Sequence, residues 1–216
     1  MVKLRLMTPG PTMIPPEVTA EMAGPMDHHR TAWHRQIQKE VTDGLQYVFQ
    51  TRGTCLTIIG SGTAGMEAAI VAVGNPGGKA LVLNGGKFGE RWVKVCKSFG
   101  IDHTEVKIEW GHGAKAELVT DRLKNDPKIN TVIVVHSETS TAAVSDVEAI
   151  ASITRGHDCM LVVDGITGVG ALPVRMDEWG IDLLVTGSQK ALMCPPGLAM
   201  VAVSNRAWKR IDSFAS

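Results

Sequence analysis

Short apolar runs alternate with helix-like segments along most of the chain. Seven runs of five to seven residues are rich in β-branched and aliphatic side chains and are almost continuously apolar. Continuous apolar runs are typical of strands in a sheet that helices cover on both faces. The predicted strands span residues 55–59, 79–84, 102–108, 131–137, 160–164, 183–187 and 198–204.

The intervening segments have helical periodicity. The clearest, residues 31–50, carries apolar side chains at Trp33, Ile37, Val41 and Leu45. A spacing of about four residues places them on one helix face. Further helices are predicted over residues 63–73, 87–99, 115–125 and 146–156, with short ones near 16–23 and 175–179.

The alternation of strands and helices predicts an α/β fold of three layers, α/β/α, around a seven-stranded, mostly parallel sheet. The last connection is different, because only about ten residues separate the strands 183–187 and 198–204, and they include Pro195-Pro196-Gly197. A parallel crossover requires a dozen or more residues. We therefore expect the final strand to run antiparallel to its neighbours.

The chain divides into an arm and one large domain. Residues 1–25 contain five prolines and no clear periodicity, which predicts an N-terminal arm. Residues 26–216 carry the alternating pattern and are predicted to form a single domain. A length of this order is enough to bury a substantial core.

Composition narrows the class of function. The 22 Lys and Arg residues balance 22 Asp and Glu residues, and aromatic residues make up 5%, so no basic surface or base-stacking platform for nucleic acid is predicted. No apolar run approaches the ~18 residues of a membrane span. The N-terminus lacks the apolar core of a signal peptide. The four cysteines form no C-x-x-C pair, which predicts reduced thiols in a cytoplasmic protein.

A glycine-rich loop lies between the first predicted strand and an alanine-rich helix. Residues 60–65 have the pattern G-x-G-x-x-G, in which small residues and backbone amides at a helix N-terminus can bind an anion. A dinucleotide fold would also place an acidic residue at the end of the next strand, where this chain has Asn84. The loop predicts a phosphate site. A nicotinamide-dependent oxidoreductase and a purely structural tight turn remain alternatives.

Two later strands end near chemically capable residues. The strand 160–164 ends in Asp164, and a carboxylate there is costly to bury without a partner. The strand 183–187 is followed by Ser-Gln-Lys190 in a semi-buried setting, where a lysine has a lowered pKa and becomes nucleophilic. Taken singly, a helix cap or ion pair would explain Asp164, and a surface loop would explain Lys190.

Together, the loop and the two side chains suggest one cofactor. Consecutive strands of an open α/β sheet bring Asp164 and Lys190 to the carboxyl ends of the strands, where ligands bind. Pyridoxal 5′-phosphate requires an anion site, a lysine for its aldehyde and a carboxylate for its pyridine nitrogen. The sequence therefore favours a pyridoxal-phosphate enzyme over the alternatives.

Six motifs along the chain carry a resemblance to a known family. They are TPGPT (8–12), GSGTAGMEA (60–68), NGGKFGER (84–91), HSETSTA (136–142), VDGITGVGALPV (163–174) and TGSQKALMCPPGLA (186–199). In this order they resemble the large domain of class V aminotransferases of fold type I, in the alanine–glyoxylate, serine–glyoxylate and serine–pyruvate branch. The resemblance covers essentially the whole chain.

The resemblance implies transfer of an amino group from a small amino acid, alanine or serine, to a 2-oxo acid such as glyoxylate or pyruvate. Lys190 would bind the cofactor aldehyde covalently and carry the proton of the substrate α-carbon, and Asp164 would pair with the pyridine nitrogen. The other implied cofactor contacts are Ser61, Gly62 and Thr63 at the phosphate, Ile166 and Phe88 on the two ring faces, and Thr139 and Gln189 at the phenolic oxygen.

The chain departs from the family pattern at a few places. Thr63 stands where relatives often have histidine, and Ala142 where they usually have glycine. The family also has a C-terminal small domain with an arginine that binds the substrate carboxylate, and no residue up to Ser216 can be assigned that role. We therefore expect a truncated chain, or one part of a split enzyme that pairs with a second polypeptide. A homodimer is implied by the resemblance.

Other functions remain open at this point. Another fold type I enzyme, such as a cysteine desulfurase or a lyase, would share the same motifs, and a non-catalytic interaction module could retain the fold. No metal site is predicted, because His28 and His29 are adjacent and no carboxylate–histidine spacing leads on to His34.

Overall fold

The computed structural model describes residues 5–74 and 78–214, and within these ranges the chain forms eight α-helices and nine strands. Residues 1–4 of the predicted arm over 1–25 lie outside the described residues. The helices are α1 (Pro16–Met22), α2 (Ala32–Phe49), α3 (Gly62–Val73), α4 (Lys87–Ser98), α5 (Ala116–Asn125), α6 (Val147–Gly156), α7 (Met176–Trp179) and α8 (Asn205–Phe214). The strands are β1 (Thr54–Ile59), β2 (Lys79–Asn84), β3 (His103–Lys107), β4 (Ile129–Val135), β5 (Ser137–Glu138), β6 (Ala143–Val144), β7 (Met160–Asp164), β8 (Leu183–Gly187) and β9 (Leu198–Val203).

Seven of the strands in the described ranges form one sheet, in the order β1-β9-β8-β7-β4-β2-β3. Strand β9 pairs antiparallel with both β8 and β1, whereas the other pairs are parallel. The expectation of a seven-stranded α/β sheet with one antiparallel strand, based on the short connection before β9, is confirmed. The two-residue strands β5 and β6 form a separate antiparallel pair that the sequence patterns did not predict.

Two apolar cores lie on opposite faces of the sheet. One contains Met66 of α3 and Trp92 of α4, and the other contains Phe49 of α2, Val119 of α5 and Ile150 of α6. All five side chains are completely buried. Burying a large apolar side chain contributes about 1.5–3 kcal/mol, so the helices are fixed to the sheet mainly by these faces. The layered arrangement predicted from continuous apolar strands is present over most of the sheet.

Strand β1 departs from the predicted two-sided burial. Leu56 is 40% exposed and Ile59 is 91% exposed. Strand β1 lies at the edge of the sheet, where β9 is its only hydrogen-bonded neighbour among the described strands. The expectation that every apolar run would be covered on both faces was wrong for this strand, because an apolar run does not reveal a position at the sheet edge.

The helix ends follow local capping rules. Helix α2 begins after Thr31, whose Oγ1 accepts a hydrogen bond from the amide of His34 at 3.1 Å, as expected for an N-cap. Helix α8 begins after Ser204, whose Oγ accepts from the amide of Ala207 at 3.0 Å; this helix was not predicted from the sequence. No helix in the described part of the chain combines the length and apolar character needed to cross a membrane.

Candidate active site

Three segments meet at the end of the sheet where strands β1, β7 and β8 reach their carboxyl termini. Strands β1, β7 and β8 run parallel to one another, since β7 pairs parallel with β8 and β9 is antiparallel to both β8 and β1. Asp164 is the last residue of β7, Lys190 follows the end of β8, and Gly60 follows β1. The carboxyl ends of parallel strands are where ligands bind in open α/β sheets.

Asp164 is a buried carboxylate held by two donors. It is 2% exposed. Its Oδ2 accepts a hydrogen bond from Trp92 Nε1 at 2.9 Å, and its Oδ1 accepts from the backbone amide of Ile166 at 3.1 Å. The pKa of Asp164 is raised to about 6, chiefly by burial and to a lesser degree by the charge of Glu138, while the two hydrogen bonds and the charge of Arg91 oppose the rise. The carboxylate therefore has a fixed orientation in an environment that disfavours its ionised form.

Lys190 presents its amine to the same end of the sheet. The residue is half-buried, and its Nζ makes no hydrogen bond or ion pair within residues 5–74 and 78–214. Burial lowers the pKa of Lys190, the charge of Asp164 opposes this, and the charge of Arg91 adds to it. A lysine with a lowered pKa is neutral, and hence nucleophilic, for a larger fraction of the time.

The N-terminal segment lies against this lysine. A Cβ added at Gly10 would lie 2.5 Å from Cδ and 2.9 Å from Nζ of Lys190, so only glycine fits there without displacing the lysine. The amide of Thr12 donates to the carbonyl of Gln189 at 3.0 Å, and its Oγ1 donates to the carbonyl of Lys190 at 2.9 Å. These contacts fix the loop that carries the amine.

The glycine loop connects β1 to α3 as predicted. Gly60 has a φ of +152°, and a Cβ there would lie 2.7 Å from Cβ of Ala64. Ser61 is the N-cap of α3, but its side chain makes no capping hydrogen bond. Of the first three amides of α3, that of Ala64 donates to the Ser61 carbonyl at 2.8 Å, and those of Gly62 and Thr63 have no acceptor among the described residues. Such a terminus favours anions.

The loop is in contact with the Asp164 segment. A Cβ at Gly62 would lie 2.6 Å from Cδ1 of Ile166, which shows that the isoleucine packs directly on the glycine backbone. Ile166 is also the residue whose amide binds the Asp164 carboxylate. The start of α3 and the end of β7 are therefore joined by one side chain.

The first turn of α4 forms another wall of the site. The buried carboxylate of Glu138 accepts hydrogen bonds from the amides of Phe88 and Gly89, both at 3.1 Å from Oε2, and from the amide and hydroxyl of Ser140. These bonds cap α4 and fix the backbone of Phe88.

Arg91 links α4 to the glycine loop. Its guanidinium carbon lies 4.7 Å from the centre of the Phe88 ring, and its Nη1 donates a hydrogen bond to Oγ1 of Thr63 at 3.3 Å.

Two further predicted residues present polar groups. Thr139 Oγ1 and Thr167 Oγ1 lie 2.5 Å apart and share a hydrogen bond. The side-chain Oε1 of Gln189 is buried and has no hydrogen-bond partner within the described ranges. A rotation of this amide by 180° would present its NH₂ group instead. A buried polar group without a partner is costly, so this position fits an additional polar ligand.

Three contributors to the site were not found in the sequence. Trp92, Glu138 and Arg91 act through contacts between elements that are distant in the chain, so local patterns do not reveal them. One signal existed for Glu138, an acidic residue shortly after an apolar strand. Among the described residues, no group of three or more His, Cys, Asp or Glu side chains is arranged to hold a metal ion.

A comparison with known families agrees with this geometry. The family model described as Aminotransferase class-V matches residues 5–216. The chain belongs to the class-V aminotransferase family. The resemblance inferred from the six sequence motifs is thereby confirmed, and enzymes of this family depend on pyridoxal 5′-phosphate.

Individual aminotransferases match the chain over nearly all its length. An uncharacterized aminotransferase of Methanocaldococcus jannaschii is 40% identical over 97% of this chain and 54% of its own length. The L-aspartate–glyoxylate aminotransferase of Paracoccus denitrificans is 36% identical over 96% of this chain and 54% of its own. The crystal structure of an alanine–glyoxylate aminotransferase from Nostoc sp. superposes with a TM-score of 0.92 at 32% identity, covering 98% of this chain and 56% of that one. The chain spans about half the length of the curated relatives it matches.

Proposed function

We propose that the chain is the cofactor-binding domain of a pyridoxal-phosphate-dependent aminotransferase. The enzyme would move an amino group from a small amino acid, alanine or serine, to a 2-oxo acid such as glyoxylate or pyruvate. The observation that carries this proposal is the convergence of the Lys190 amine, which has no partner among the described residues, and the buried Asp164 carboxylate at the ends of neighbouring parallel strands. The similarity to several aminotransferases named for glyoxylate supports the acceptor class.

The arrangement of the site fits the cofactor part by part. The glycine loop offers amides and hydroxyls to a phosphate, and the unpartnered amide of Gln189 offers a hydrogen bond inside a buried site. Ile166, packed on the loop, and Phe88, at the start of α4, provide apolar surfaces for a ring. The proposed cofactor-binding residues are Ser61, Gly62, Thr63, Phe88, Thr139, Asp164, Ile166, Gln189 and Lys190.

When bound, pyridoxal phosphate supplies an electron sink for negative charge at the substrate α-carbon. The Asp164 carboxylate would hold a proton at the pyridine nitrogen, and Trp92 and the Ile166 amide keep that carboxylate oriented. The Lys190 amine, with its lowered pKa, would hold the cofactor through its aldehyde and would accept and return the substrate α-proton.

The assembly and cellular location form part of the same proposal. Helix α2 and strand β1 expose Trp33, Val41, Tyr47, Leu56 and Ile59 on the surface. Apolar side chains in such numbers are typical of an interface. They support a homodimer, or association with a second polypeptide that supplies the remainder of the fold. The four cysteines are all free thiols, which supports a cytoplasmic location.

The proposal is tested by spectroscopy of the chain with added cofactor. We expect a visible absorption band of lysine-bound pyridoxal phosphate, and its loss when L-alanine or L-serine donates its amino group. Lys190→Ala should abolish the band, whereas Lys124→Ala, which removes an exposed lysine of α5, should leave it unchanged. A band that persists in Lys190→Ala would contradict the assignment.

The alternatives predict different outcomes in the same experiment. A nicotinamide-dependent enzyme would bind NAD and not pyridoxal phosphate. A desulfurase or lyase of the same fold would form the band but release sulfur or a carbon fragment from its amino acid instead of producing an aminated cofactor. A non-catalytic module would bind cofactor without reacting with any amino donor.

A further inference from the structure

The glycine loop supplies little positive charge to the phosphate that it is proposed to bind. This inference rests on the proposed function, in which the loop binds a phosphate ester of about two negative charges at neutral pH. The loop contributes neutral hydroxyls and amides, and the N-terminus of α3 contributes the equivalent of about half a positive charge. A fully charged donor near the loop would complete the neutralisation.

Arg91 is positioned to provide that charge. It lies on α4, one turn after Phe88, and its Nη1 donates a hydrogen bond to Oγ1 of Thr63 at 3.3 Å. Thr63 belongs to the first turn of α3, so the guanidinium lies beside the helix N-terminus. The stacking on the Phe88 ring, at 4.7 Å, holds the guanidinium from the other side. The two contacts come from different helices and fix the charge at the loop.

Arg91 differs from two other arginines in having no acidic partner in the described part of the chain. Arg206 is paired with Asp182, and Arg175 is paired with Glu178. Within residues 5–74 and 78–214, Arg91 makes no salt bridge. A guanidinium has five N–H donors, and the contact with the threonine occupies one of them. The remaining donors are available to an anion.

We infer that Arg91 is the cation that binds the cofactor phosphate and that gives the site its preference for pyridoxal 5′-phosphate over unphosphorylated pyridoxal. A planar guanidinium matches the geometry of phosphate oxygens and forms charge-assisted hydrogen bonds with them. Thr63 orients the guanidinium, so the hydroxyl contributes through the arginine as well as directly. The carboxylate of the amino-acid substrate is a different anion that could contact the same side chain, and the experiment separates the two.

Equilibrium titrations with pyridoxal 5′-phosphate and with pyridoxal test the inference without measuring turnover. We expect Arg91→Gln to weaken binding of the phosphorylated compound at least tenfold, equivalent to about 1.4 kcal/mol, and to change binding of pyridoxal less than about twofold. Arg91→Lys should give an intermediate loss, because it keeps the charge and loses the planar fork. Arg122→Gln removes an exposed arginine near the end of α5 and should change neither affinity.

A double-mutant cycle tests the role of the threonine. Thr63→Val should weaken binding of the phosphorylated compound, and the effects of Thr63→Val and Arg91→Gln should be less than additive, because the two side chains act on the same phosphate. Fully additive effects would contradict the orienting role of the hydroxyl. Circular dichroism confirms that each variant is folded.

Equal weakening of both ligands by Arg91→Gln, or no weakening of either, would overturn the assignment of Arg91 to the phosphate. Weakening that appears only when amino-acid substrate is added would also overturn it, in favour of the substrate carboxylate. Failure of the wild-type chain to bind either ligand would instead refute the proposed function, so the two failures are distinguishable.

Discussion

Replacing Asp164 by asparagine should stabilise the cofactor-free protein at neutral pH, although it removes a functional group. The pKa of Asp164 is about 6 in the folded protein, compared with an ordinary value of 3.8. A carboxyl with a raised pKa binds its proton more tightly when folded, so its favourable contribution is present below about pH 3.8 and is lost as pH rises through about 6. The wild-type protein should therefore lose stability over this interval.

The size of the effect follows from the two pKa values. A difference of about 2 pH units corresponds to about 3 kcal/mol, at about 1.36 kcal/mol per unit. Asparagine is neutral and has one carbonyl acceptor, as the protonated carboxyl has, so it resembles the form that the buried site favours. We expect Asp164→Asn to be about 3 kcal/mol more stable than wild type at pH 8. Below pH 4 the two proteins should differ by less than about 1 kcal/mol.

Urea unfolding of the cofactor-free proteins at pH 4 and pH 8 measures both differences. Asp121→Asn, at an exposed aspartate of α5, controls for a change of one unit of charge and should show little difference at either pH. A destabilisation by Asp164→Asn that is the same at both pH values would refute the reasoning, since it would mean that the ionised carboxylate is not penalised by burial.

Three further substitutions test the supports of the site. Trp92→Phe removes a donor to Asp164 and should raise the pKa of that carboxyl by about one unit, measurable by NMR titration of a selectively labelled carboxyl; an unchanged pKa would contradict this. Glu138→Gln removes half of the acceptor set that caps α4 and should lower the free energy of unfolding by about 1–2 kcal/mol, measured in urea. Gly62→Ala places a methyl group 2.6 Å from Cδ1 of Ile166 and should weaken cofactor binding by displacing that side chain. An affinity equal to wild type would show that the contact is not needed.

The sheet could be predicted closely from the sequence because strand identity is a local property here. The runs that end in Asp164 and Gly187 were predicted with the bounds found for β7 and β8. The antiparallel direction of β9 followed from the length of one connection, since the segment between β8 and β9 that contains Pro195 is too short for a parallel crossover. The exposure of Ile59 was not predictable in this way. The edge position of β1 depends on its pairing with β9, a strand that lies far from it in the sequence.

The missed elements differ in how much local signal they carry. Helix α8 places Ala207, Trp208 and Ile211 on one helix face, so its periodicity is readable, although the segment is short and follows directly on β9. The contacts of Glu138 and Arg91 have no sufficient local signal. Each of these side chains bridges elements that the order of strands in the sheet brings together, and local patterns do not determine that order.

We propose that Lys190 and Asp164 act on one pyridoxal phosphate molecule. Borohydride reduction of the chain with bound cofactor, followed by peptide mass spectrometry, tests the lysine directly, because reduction makes the covalent bond permanent. We predict a single modified peptide with the cofactor mass on Lys190, and a reduced yield of that peptide when excess inorganic phosphate competes for the glycine loop. Modification spread over several surface lysines, or found at a single lysine other than Lys190, would contradict the role assigned to Lys190.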